Sequence, residues 1–183
     1  MSEEKRRPRP AVQYGPTAAT VADNVKRLRE TRGMTIYALS GALGRTGRPI
    51  TPSAVAKIER QQRQVTVDDL MALAVVLGVS PVTLLLPPNT RGEKDENGVP
   101  RQAVTEVTGA GEVGVADAWR WAWCTDPLRY PEGVDAEEAD RLVMDFLLNS
   151  RPVGLLSAEG DDRMASAAFG TRRGRGPDGP RMD

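Results

Sequence analysis

The sequence predicts a mainly α-helical protein, in which a compact domain of five short helices precedes a small, mostly helical C-terminal region with disordered tails. Three observations lead to this fold class. Apolar residues between positions 20 and 88 recur three or four residues apart, as on the buried face of a helix. Gly, Pro and helix-capping residues interrupt this pattern at short intervals. Beyond position 100 the same spacing returns only in shorter segments.

The N-terminal arm and the first helix differ in composition. Residues 1–19 are rich in Pro, Arg and Ala and lack apolar periodicity, so we predict a flexible basic arm. Thr20 or Asp23 can cap the first helix, because both side chains accept hydrogen bonds from the free amides at a helix start. Gly33 is expected to end this helix.

The second and third helices are separated by a long loop. Thr35 is expected to lie at the start of the second helix, which Gly44 closes. Residues 45–50 contain Gly and Pro and cannot continue a helix. Thr51 then caps a third helix with Pro52 at its first position, where the missing amide hydrogen has no helical partner to lose.

A fourth and a fifth helix complete the domain, which we predict to span residues 20–88. Thr66 caps the fourth helix, and acidic residues follow in its first turn, where the helix dipole favours them. Ser80 and Pro81 start the fifth helix, and two prolines end it. The predicted core consists of the inward-facing apolar residues of these helices: Val25, Leu28, Ile36, Leu39, Leu43, Val55, Ile58, Leu70, Leu73, Leu77, Val79, Leu84 and Leu85.

The pattern weakens beyond this domain. Residues 89–99 are polar and contain Gly, which predicts a linker. Residues 100–156 are predicted to form a small acidic accessory region, with a weak strand signal at 102–107 and a clear amphipathic helix at 135–149. Residues 157–183 lack any pattern and are predicted to be a disordered tail.

Three tryptophans lie in the accessory region. Their spacing by two is compatible with a strand, whereas on a helix Trp119 and Trp123 share one face and Trp121 points away from it. Neighbouring alanines favour the helix. The tryptophans are compatible with packing against the 135–149 helix, with an interaction surface for a second copy or a partner, and with a small-ligand pocket.

The charges are unevenly distributed, although the formal net charge is zero. Residues 21–66 hold nine basic and three acidic residues, a local charge of +6. Residues 100–160 hold five arginines and eleven acidic residues, a local charge of −6. The basic segment is typical of a region that binds a polyanion, whereas the acidic segment indicates a different role.

The composition excludes several classes of chemistry. The chain has no His and a single Cys, Cys124, so neither a His–Cys zinc site nor a disulfide within the chain can form. No Lys lies beyond Lys94, which excludes a Ser–Lys self-cleaving dyad in residues 100–183. We therefore expect no enzyme activity, no metal and no cofactor. The lone Cys and the lack of an apolar membrane span indicate a soluble cytoplasmic protein.

Residues 20–88 resemble the DNA-binding domain of the XRE family, the lambda-repressor-like, Cro-type helix-turn-helix proteins. Four segments carry the resemblance, in this order: VKRLRETRGMT, TIYALSGALG, SAVAKIER and TVDDLMALAVVLGVSPVTLL. It implies that the second and third helices form the helix-turn-helix pair. It also implies that the third helix, at 51–60, enters the major groove of double-stranded DNA.

The resemblance assigns roles to the outward positions of the third helix. The positions that read bases in such proteins are here Pro52, Ser53, Ala54 and Lys57. Lys57 suits a guanine edge because its ammonium can donate to O6 and N7, and Ala54 can contact a thymine methyl group. Arg29 and Glu59 match a pair that joins the first and third helices, which is a mainly structural role.

Other residues are expected to contact the DNA backbone. Thr35 and Thr51 would aim the amides of their helix starts at phosphate. The remaining candidates are basic or amide side chains around the third helix: Arg45, Arg48, Arg60, Gln61, Arg63 and Gln64. The 45–50 loop departs from the family, which usually needs only a residue or so there. It either adds Arg45 and Arg48 as phosphate contacts or tilts the recognition helix.

These features favour a sequence-specific transcriptional regulator that acts as a repressor and is associated with the nucleoid. A homodimer is expected because paired half-sites raise affinity. The alternative is an antitoxin-like or partner-binding protein, whose acidic C-terminal region binds another protein while DNA binding serves autoregulation. A third hypothesis is a regulator whose C-terminal half binds a small molecule. The Arg-rich, Lys-poor composition is typical of GC-rich genomes, such as those of actinobacteria and their phages.

Overall fold

The computed structural model describes residues 14–152, except residues 95 and 97. Within these residues the chain forms seven α-helices and four β-strands, which confirms the mainly helical fold class. The helices are α1 (Pro16–Thr31), α2 (Ile36–Arg45), α3 (Pro52–Glu59), α4 (Val67–Val76), α5 (Pro81–Leu85), α6 (Val115–Ala122) and α7 (Ala136–Ser150). The strands are β1 (Arg91–Lys94), β2 (Pro100–Gln102), β3 (Val104–Val107) and β4 (Gly111–Gly114).

The two segments predicted to be disordered are only partly within the described residues. Residues 1–13 of the predicted arm and the whole of the predicted tail, 157–183, lie outside them. The chain divides into two compact units, with the boundary between Trp123 and Cys124. Among the residues described, no helix combines the length and the apolar character that a membrane crossing requires.

The first five helices pack around one apolar core. α1 packs on α3 and α5, and α2 packs on α3 and α4. Every predicted core residue belongs to this cluster, either buried within it or packed against its edge. Ile50, in the loop before α3, is an additional core residue that is 2% exposed. Because burying a side chain of this size contributes about 1.5–3 kcal/mol, the loop is anchored to the core.

α1 begins earlier than the sequence predicts. It starts at Pro16 with Gly15 as its N-cap, so residues 16–19 of the predicted arm are helical. Pro suits this position because its fixed φ is already helical and its missing amide hydrogen has no partner there. Gly15 lies against the second hairpin: a Cβ atom at this position would be 2.7 Å from the Oγ1 of Thr108.

The other helix ends follow the predicted signals. The side chains of Thr35, Thr51 and Thr66 accept hydrogen bonds from the backbone amides three residues further on, at 3.0, 3.3 and 3.2 Å. Gly33 and Gly78 follow the ends of α1 and α4 with φ values of 62° and 59°. This left-handed conformation ends a helix, and glycine adopts it without steric strain.

Two antiparallel hairpins follow the five helices. β1 pairs with β2, with Arg91 opposite Gln102, and β3 pairs with β4, with Val104 opposite Gly114. The segment predicted as a linker, 89–99, therefore contains a strand. Since Arg91 is exposed and its neighbours are polar, no alternation of apolar residues marks this strand in the sequence.

The second hairpin and α6 are attached to the helical domain by specific contacts. The backbone amide of Thr108 donates to the Thr17 Oγ1 at 3.0 Å. The indole N–H of Trp119 donates to the carbonyl oxygen of Pro87 at 2.8 Å. Ala118 is completely buried. The residues up to Trp123 thus share one compact unit with the five helices, where the sequence predicts a linker and a separate region.

The second unit contains α7. Its N-cap, Asp135, accepts a hydrogen bond from the Glu138 amide at 2.9 Å, and no residue of α7 is fully buried. The apolar residues that the sequence places on one face, Leu142 and Phe146 among them, are half-buried. The helical prediction for 135–149 is confirmed to within a residue at each end.

Candidate nucleic-acid interface

α3 presents one face to the core and the opposite face to solvent. Val55 and Ile58, three residues apart, are 0% and 1% exposed. Ser53 and Lys57, four residues apart, are exposed and lie on the same side of the helix. Arg60, the C-cap residue three positions after Lys57, is also exposed. The outward face of α3 and its C-cap therefore carry a hydroxyl, an ammonium and a guanidinium in one row.

The other two predicted base-reading residues lie at the edge of this row. Pro52 and Ala54 are half-buried, and Ala54 packs against the core. Among the described residues, neither the Lys57 ammonium nor the Arg60 guanidinium has a hydrogen-bond or ion-pair partner within the chain. These two groups are the cations of α3 that are free to bind a ligand.

The start of α3 is held by its cap. The Thr51 hydroxyl accepts from the Ala54 amide at 3.3 Å and lies 3.2 Å from the Ser53 hydroxyl. The starts of α2 and α3 both carry a threonine cap, and the two helices pack against each other. Both helix starts have the partial positive charge of exposed amides, which suits an anion such as phosphate.

The end of α3 is closed without glycine. The Gln62 amide donates to the Lys57 carbonyl at 2.7 Å, and the Gln61 amide donates to the Ile58 carbonyl at 2.9 Å. This pair of bonds is the Schellman arrangement, which needs a left-handed residue after the helix. Gln61 occupies that position with a φ of 57°. Its backbone is therefore strained, and its amide side chain is exposed beside the outward face of α3.

Arg29 and Glu59 join α1 to α3, as the sequence predicts. The Arg29 Nε donates to one Glu59 oxygen at 2.6 Å, and Nη2 donates to the other at 2.9 Å. The side chains are 11% and 7% exposed. Arg29 also donates to the Met34 carbonyl at 2.9 Å. The hydrogen bond with Glu59 raises the pKa of Arg29 above its ordinary value despite the opposing effect of burial. α3 is thus fixed on α1 by an ion pair with two hydrogen bonds.

The loop before α3 is anchored at the end nearer α3. α2 continues through Arg45, one residue past the predicted end at Gly44. The Ser40 hydroxyl donates to the Ile50 carbonyl at 2.6 Å, and the Ile50 side chain is buried in the core. Arg45 is exposed, and within the described part of the chain it donates only to the Gly41 carbonyl, at 3.3 Å. The 45–50 loop is therefore held to α2 through Ile50, the residue nearest α3.

Arg48 and Arg63, two of the predicted phosphate contacts, converge on one carboxylate of α4. The Arg48 Nε donates to one oxygen of Asp69 at 2.9 Å, and the Arg63 Nη2 donates to the other at 3.0 Å. Arg48 also donates to the Thr66 hydroxyl at 3.2 Å. The Asp69 side chain is 1% exposed, whereas those of Arg48 and Arg63 are 44% and 34% exposed.

Asp69 also closes the N-terminal cap of α4. Its carboxylate accepts from the Thr66 amide while the Thr66 hydroxyl accepts from the Asp69 amide. Burial alone would raise the pKa of Asp69. The hydrogen bonds from Arg48 and from the Thr66 amide, together with the charges of both arginines, lower the pKa by more than burial raises it. The pKa of Asp69 therefore lies below its usual value. Asp69 therefore stays ionised and binds both arginines at neutral pH.

The sequence did not single out Asp69, Ser40 or Ile50 as residues that position α3. Thr66 and Asp69 at the two ends of a T-x-x-D pattern were the available signal for the cap. Tyr37, in the first turn of α2, is a further residue to which the sequence assigned no role. Its aromatic side chain is 78% exposed.

The predicted tryptophan surface lies on and after α6. The Trp119 and Trp123 rings lie 5.2 Å apart at 47°, so they share a face as a helix requires. Trp119 is held by the Pro87 carbonyl, whereas Trp121 and Trp123 are 39% and 40% exposed. Trp119 thus packs on the helical domain, while Trp121 and Trp123 leave part of their aromatic surface accessible to solvent.

Comparisons with known proteins support the same domain. A family model described as helix-turn-helix matches residues 25–84, from within α1 to within α5. A search of curated protein sequences finds no match. Among solved structures, the restriction-modification controller protein C.AhdI from Aeromonas hydrophila is 25% identical, and the alignment covers 37% of this chain and 94% of that chain with a TM-score of 0.33.

Two further solved structures are similar over part of the chain. The hypothetical transcription factor NHTF from Neisseria is 26% identical, with 43% of this chain and 87% of that chain covered and a TM-score of 0.36. The hydroxypropylphosphonic acid epoxidase from S. wedmorenis is 30% identical, with 49% of this chain and 44% of that chain covered and a TM-score of 0.36. The family match agrees with the five-helix architecture and with the resemblance in the sequence: residues 25–84 form a helix-turn-helix domain, similar to those of the XRE family.

Proposed function

We propose that this protein is a sequence-specific regulator of transcription that inserts α3 into the major groove of double-stranded DNA and represses. The observation that carries the proposal is the outward face of α3. Ser53, Lys57 and Arg60 are exposed in one row, while the opposite face is buried and the helix is locked to α1 by the Arg29–Glu59 pair. A fixed helix with exposed polar groups is what direct readout of bases requires.

Base contacts are assigned to the outward positions of α3. Lys57 has no partner within the described chain, so its ammonium can donate to the O6 and N7 of a guanine. Ser53 can donate to or accept from a base edge. Pro52 and Ala54 offer apolar surface for a thymine methyl group. One good side-chain contact to a base discriminates by about 1–3 kcal/mol, so Lys57 carries most of the proposed specificity.

Backbone contacts are assigned to the residues around this row. The helix starts capped by Thr35 and Thr51 can bind phosphate through their amides. Arg45, Arg60 and Gln61 are exposed and can reach further phosphates. Each phosphate that a cation neutralises steepens the dependence of log K on log salt by about 0.9. Arg48 and Arg63 approach phosphate from the positions in which Asp69 holds them.

The functional unit is proposed to be a homodimer without enzymatic activity. A dimer of helix-turn-helix domains binds two half-sites about one helical turn apart, which raises both affinity and specificity. A symmetric binding site of two half-sites would support this state, and a single half-site would indicate a monomer. The acidic region around α7 remains proposed as the surface for a protein partner.

The proposal is tested by selecting binding sites from random duplex DNA at one fixed salt concentration. Three full-length proteins are compared: the unaltered chain, Lys57→Ala and Lys26→Ala. Lys26 is an exposed lysine of α1, so its variant removes the same charge outside α3. We expect a defined motif for the unaltered chain and for Lys26→Ala. In Lys57→Ala the preference should relax at one base position, with a loss of about 1–3 kcal/mol in binding free energy.

A reporter gene then tests the direction of regulation. The selected motif is placed over a promoter, and expression is measured with the unaltered chain and with Lys57→Ala. Lower expression with the unaltered chain alone supports repression, whereas higher expression would indicate an activator. If no motif is enriched and binding to any duplex depends only on salt, sequence-specific regulation is refuted. The partner-binding alternative would then be tested by pull-down with the full chain.

A further inference from the structure

The two loops that flank α3 are tied to the same carboxylate, and the following inference rests on the proposed DNA-binding function. Arg48 lies three residues before the N-cap of α3, and Arg63 lies three residues after its C-cap, Arg60. Both donate to Asp69, one to each carboxylate oxygen, at 2.9 and 3.0 Å. One side chain of α4 therefore holds the chain on both sides of the recognition helix.

Asp69 is built into the fold at a fixed position. Its side chain is 1% exposed, and it is bonded to the Thr66 amide in the cap of α4. The neighbouring Asp68 differs sharply: it is 79% exposed, and its contact with Arg48 is 3.9 Å long. Of these two adjacent carboxylates, only Asp69 is placed to orient both loops.

The guanidinium groups of Arg48 and Arg63 are bonded to Asp69, although the two side chains remain 44% and 34% exposed. Arg48 uses Nε for Asp69 and Nη2 for the Thr66 hydroxyl. The Nη1 atom of Arg63 is buried and has no hydrogen-bond partner among the described residues. If Arg48 and Arg63 served only to bind DNA phosphates, their guanidinium N–H groups would be expected to point into solvent. A carboxylate occupies a guanidinium in the same way as a phosphate, so Asp69 and DNA compete for these donors.

We propose that Asp69 is a positioning residue for operator recognition, which fixes both ends of α3 and restrains Arg48 and Arg63 from binding phosphates independently of the base sequence. Without Asp69 the two arginines gain freedom to bind any DNA backbone. The bases in contact with α3 would then contribute less to the choice of site. Asp69 thus raises the ratio of operator binding to binding of unrelated duplex DNA.

The test measures the Kd of full-length protein for the selected operator and for an unrelated duplex across a series of salt concentrations. The variants are Asp69→Asn and, as the matched control, Asp68→Asn. For Asp69→Asn we expect the ratio of operator to unrelated affinity to fall about tenfold or more, which is the loss of one base contact. The salt slope on unrelated DNA should steepen by up to about two, because two cations are released. Asp68→Asn should keep the ratio of the unaltered chain.

A merely structural role would lower both affinities together and leave the salt slope unchanged, which would overturn the proposal. An additional Arg48→Gln substitution in the Asp69→Asn background should return the slope about one unit towards that of the unaltered chain. If circular dichroism shows that Asp69→Asn does not fold, the same affinity ratio is measured for Arg48→Gln and for Arg63→Gln. Each should reduce the affinity ratio, whereas Arg45→Gln, outside the cluster, should not.

The result separates two kinds of failure. If the unaltered chain prefers its operator and Asp69→Asn keeps the same ratio and slope, the positioning role is refuted while the DNA-binding function stands. If the unaltered chain itself shows no preference, the proposed function fails and the positioning role fails with it. A lower ratio with a steeper slope in Asp69→Asn alone supports both.

Discussion

Replacing the partners of the Arg29–Glu59 pair tests how α3 is fixed on α1. We consider Arg29→Met, Glu59→Met and the double variant, since Met is close to both side chains in length and lacks their charge. The two side chains are 11% and 7% exposed, so removing one leaves the other charge nearly buried. Such a loss typically costs 3–5 kcal/mol, whereas replacing both partners by apolar residues is often close to neutral.

The structure predicts that the two single substitutions differ. Without Arg29, the Glu59 carboxylate has no other hydrogen-bond partner in the described residues, and the full cost of about 3–5 kcal/mol is expected. Without Glu59, Arg29 keeps the Met34 carbonyl at 2.9 Å and the exposed Glu30 carboxylate at 3.3 Å. We therefore expect a smaller loss of about 2–3 kcal/mol for Glu59→Met, because a partly satisfied charge remains.

The double variant should cost only about 1–2 kcal/mol, which leaves a coupling energy of about 3 kcal/mol or more between the two residues. The assay is urea-induced unfolding of the full chain, followed by circular dichroism and by tryptophan fluorescence. Arg32→Met is the matched control, because Arg32 is an exposed arginine just past the end of α1. Its effect should stay within about 0.5 kcal/mol.

Two outcomes would refute this reasoning. If both single variants cost less than about 1 kcal/mol and their effects add in the double variant, the pair does not fix α3 on α1. If Glu59→Met costs more than Arg29→Met, the role assigned to the Met34 carbonyl and to Glu30 as residual partners is wrong. Either result would also weaken the argument that α3 is presented as a rigid face.

Three further predictions concern other parts of the same unit. Because the pKa of Asp69 is lowered by folding, its ionisation stabilises the fold above the unfolded pKa of about 3.9, and this contribution is lost as the pH falls below that value. The unfolding free energy of the unaltered chain should thus fall towards that of Asp69→Asn between pH 5 and about pH 2, and a constant difference between them would argue against the ionised cluster. Gln61→Gly should raise the unfolding free energy by about 1 kcal/mol, since Gln61 has a φ of 57°; a loss of stability would show that its side chain contributes more than its backbone strain costs. Trp119→Phe should lower the unfolding free energy by about 1 kcal/mol, because the Pro87 carbonyl loses its donor, and no change would indicate that this hydrogen bond is not formed in solution.

The five-helix domain was predictable because its signals are local. Each threonine cap and each apolar spacing lies within one helix, so the caps at Thr35, Thr51 and Thr66 and the predicted core residues are confirmed. The start of α1 was missed because Gly15 caps it without a side chain. β1 was missed because both of its faces are polar, so its formation depends on pairing with β2 and not on an apolar pattern.

The candidate site was predictable only in part, for a different reason. The resemblance placed Ser53 and Lys57 on the outward face, and helical spacing alone requires that they share a side. The partners of Arg48 and Arg63 depend on contacts between distant segments, since Arg48 and Asp69 are 21 residues apart. Asp68 and Asp69 are chemically identical in the sequence. Only the packing of α4 decides which of them is buried and which remains in solvent.

The bond from the Trp119 indole to the Pro87 carbonyl determines where the chain can be divided without loss of packing. The family match ends at residue 84, but the compact unit extends to Trp123. A junction at residue 88 would remove the second hairpin, which contacts Gly15 and Thr17. It would also leave the Pro87 carbonyl without the Trp119 indole as its donor. A junction after Trp123 would preserve these contacts. The unit that packs together is therefore longer than the segment that the family model matches.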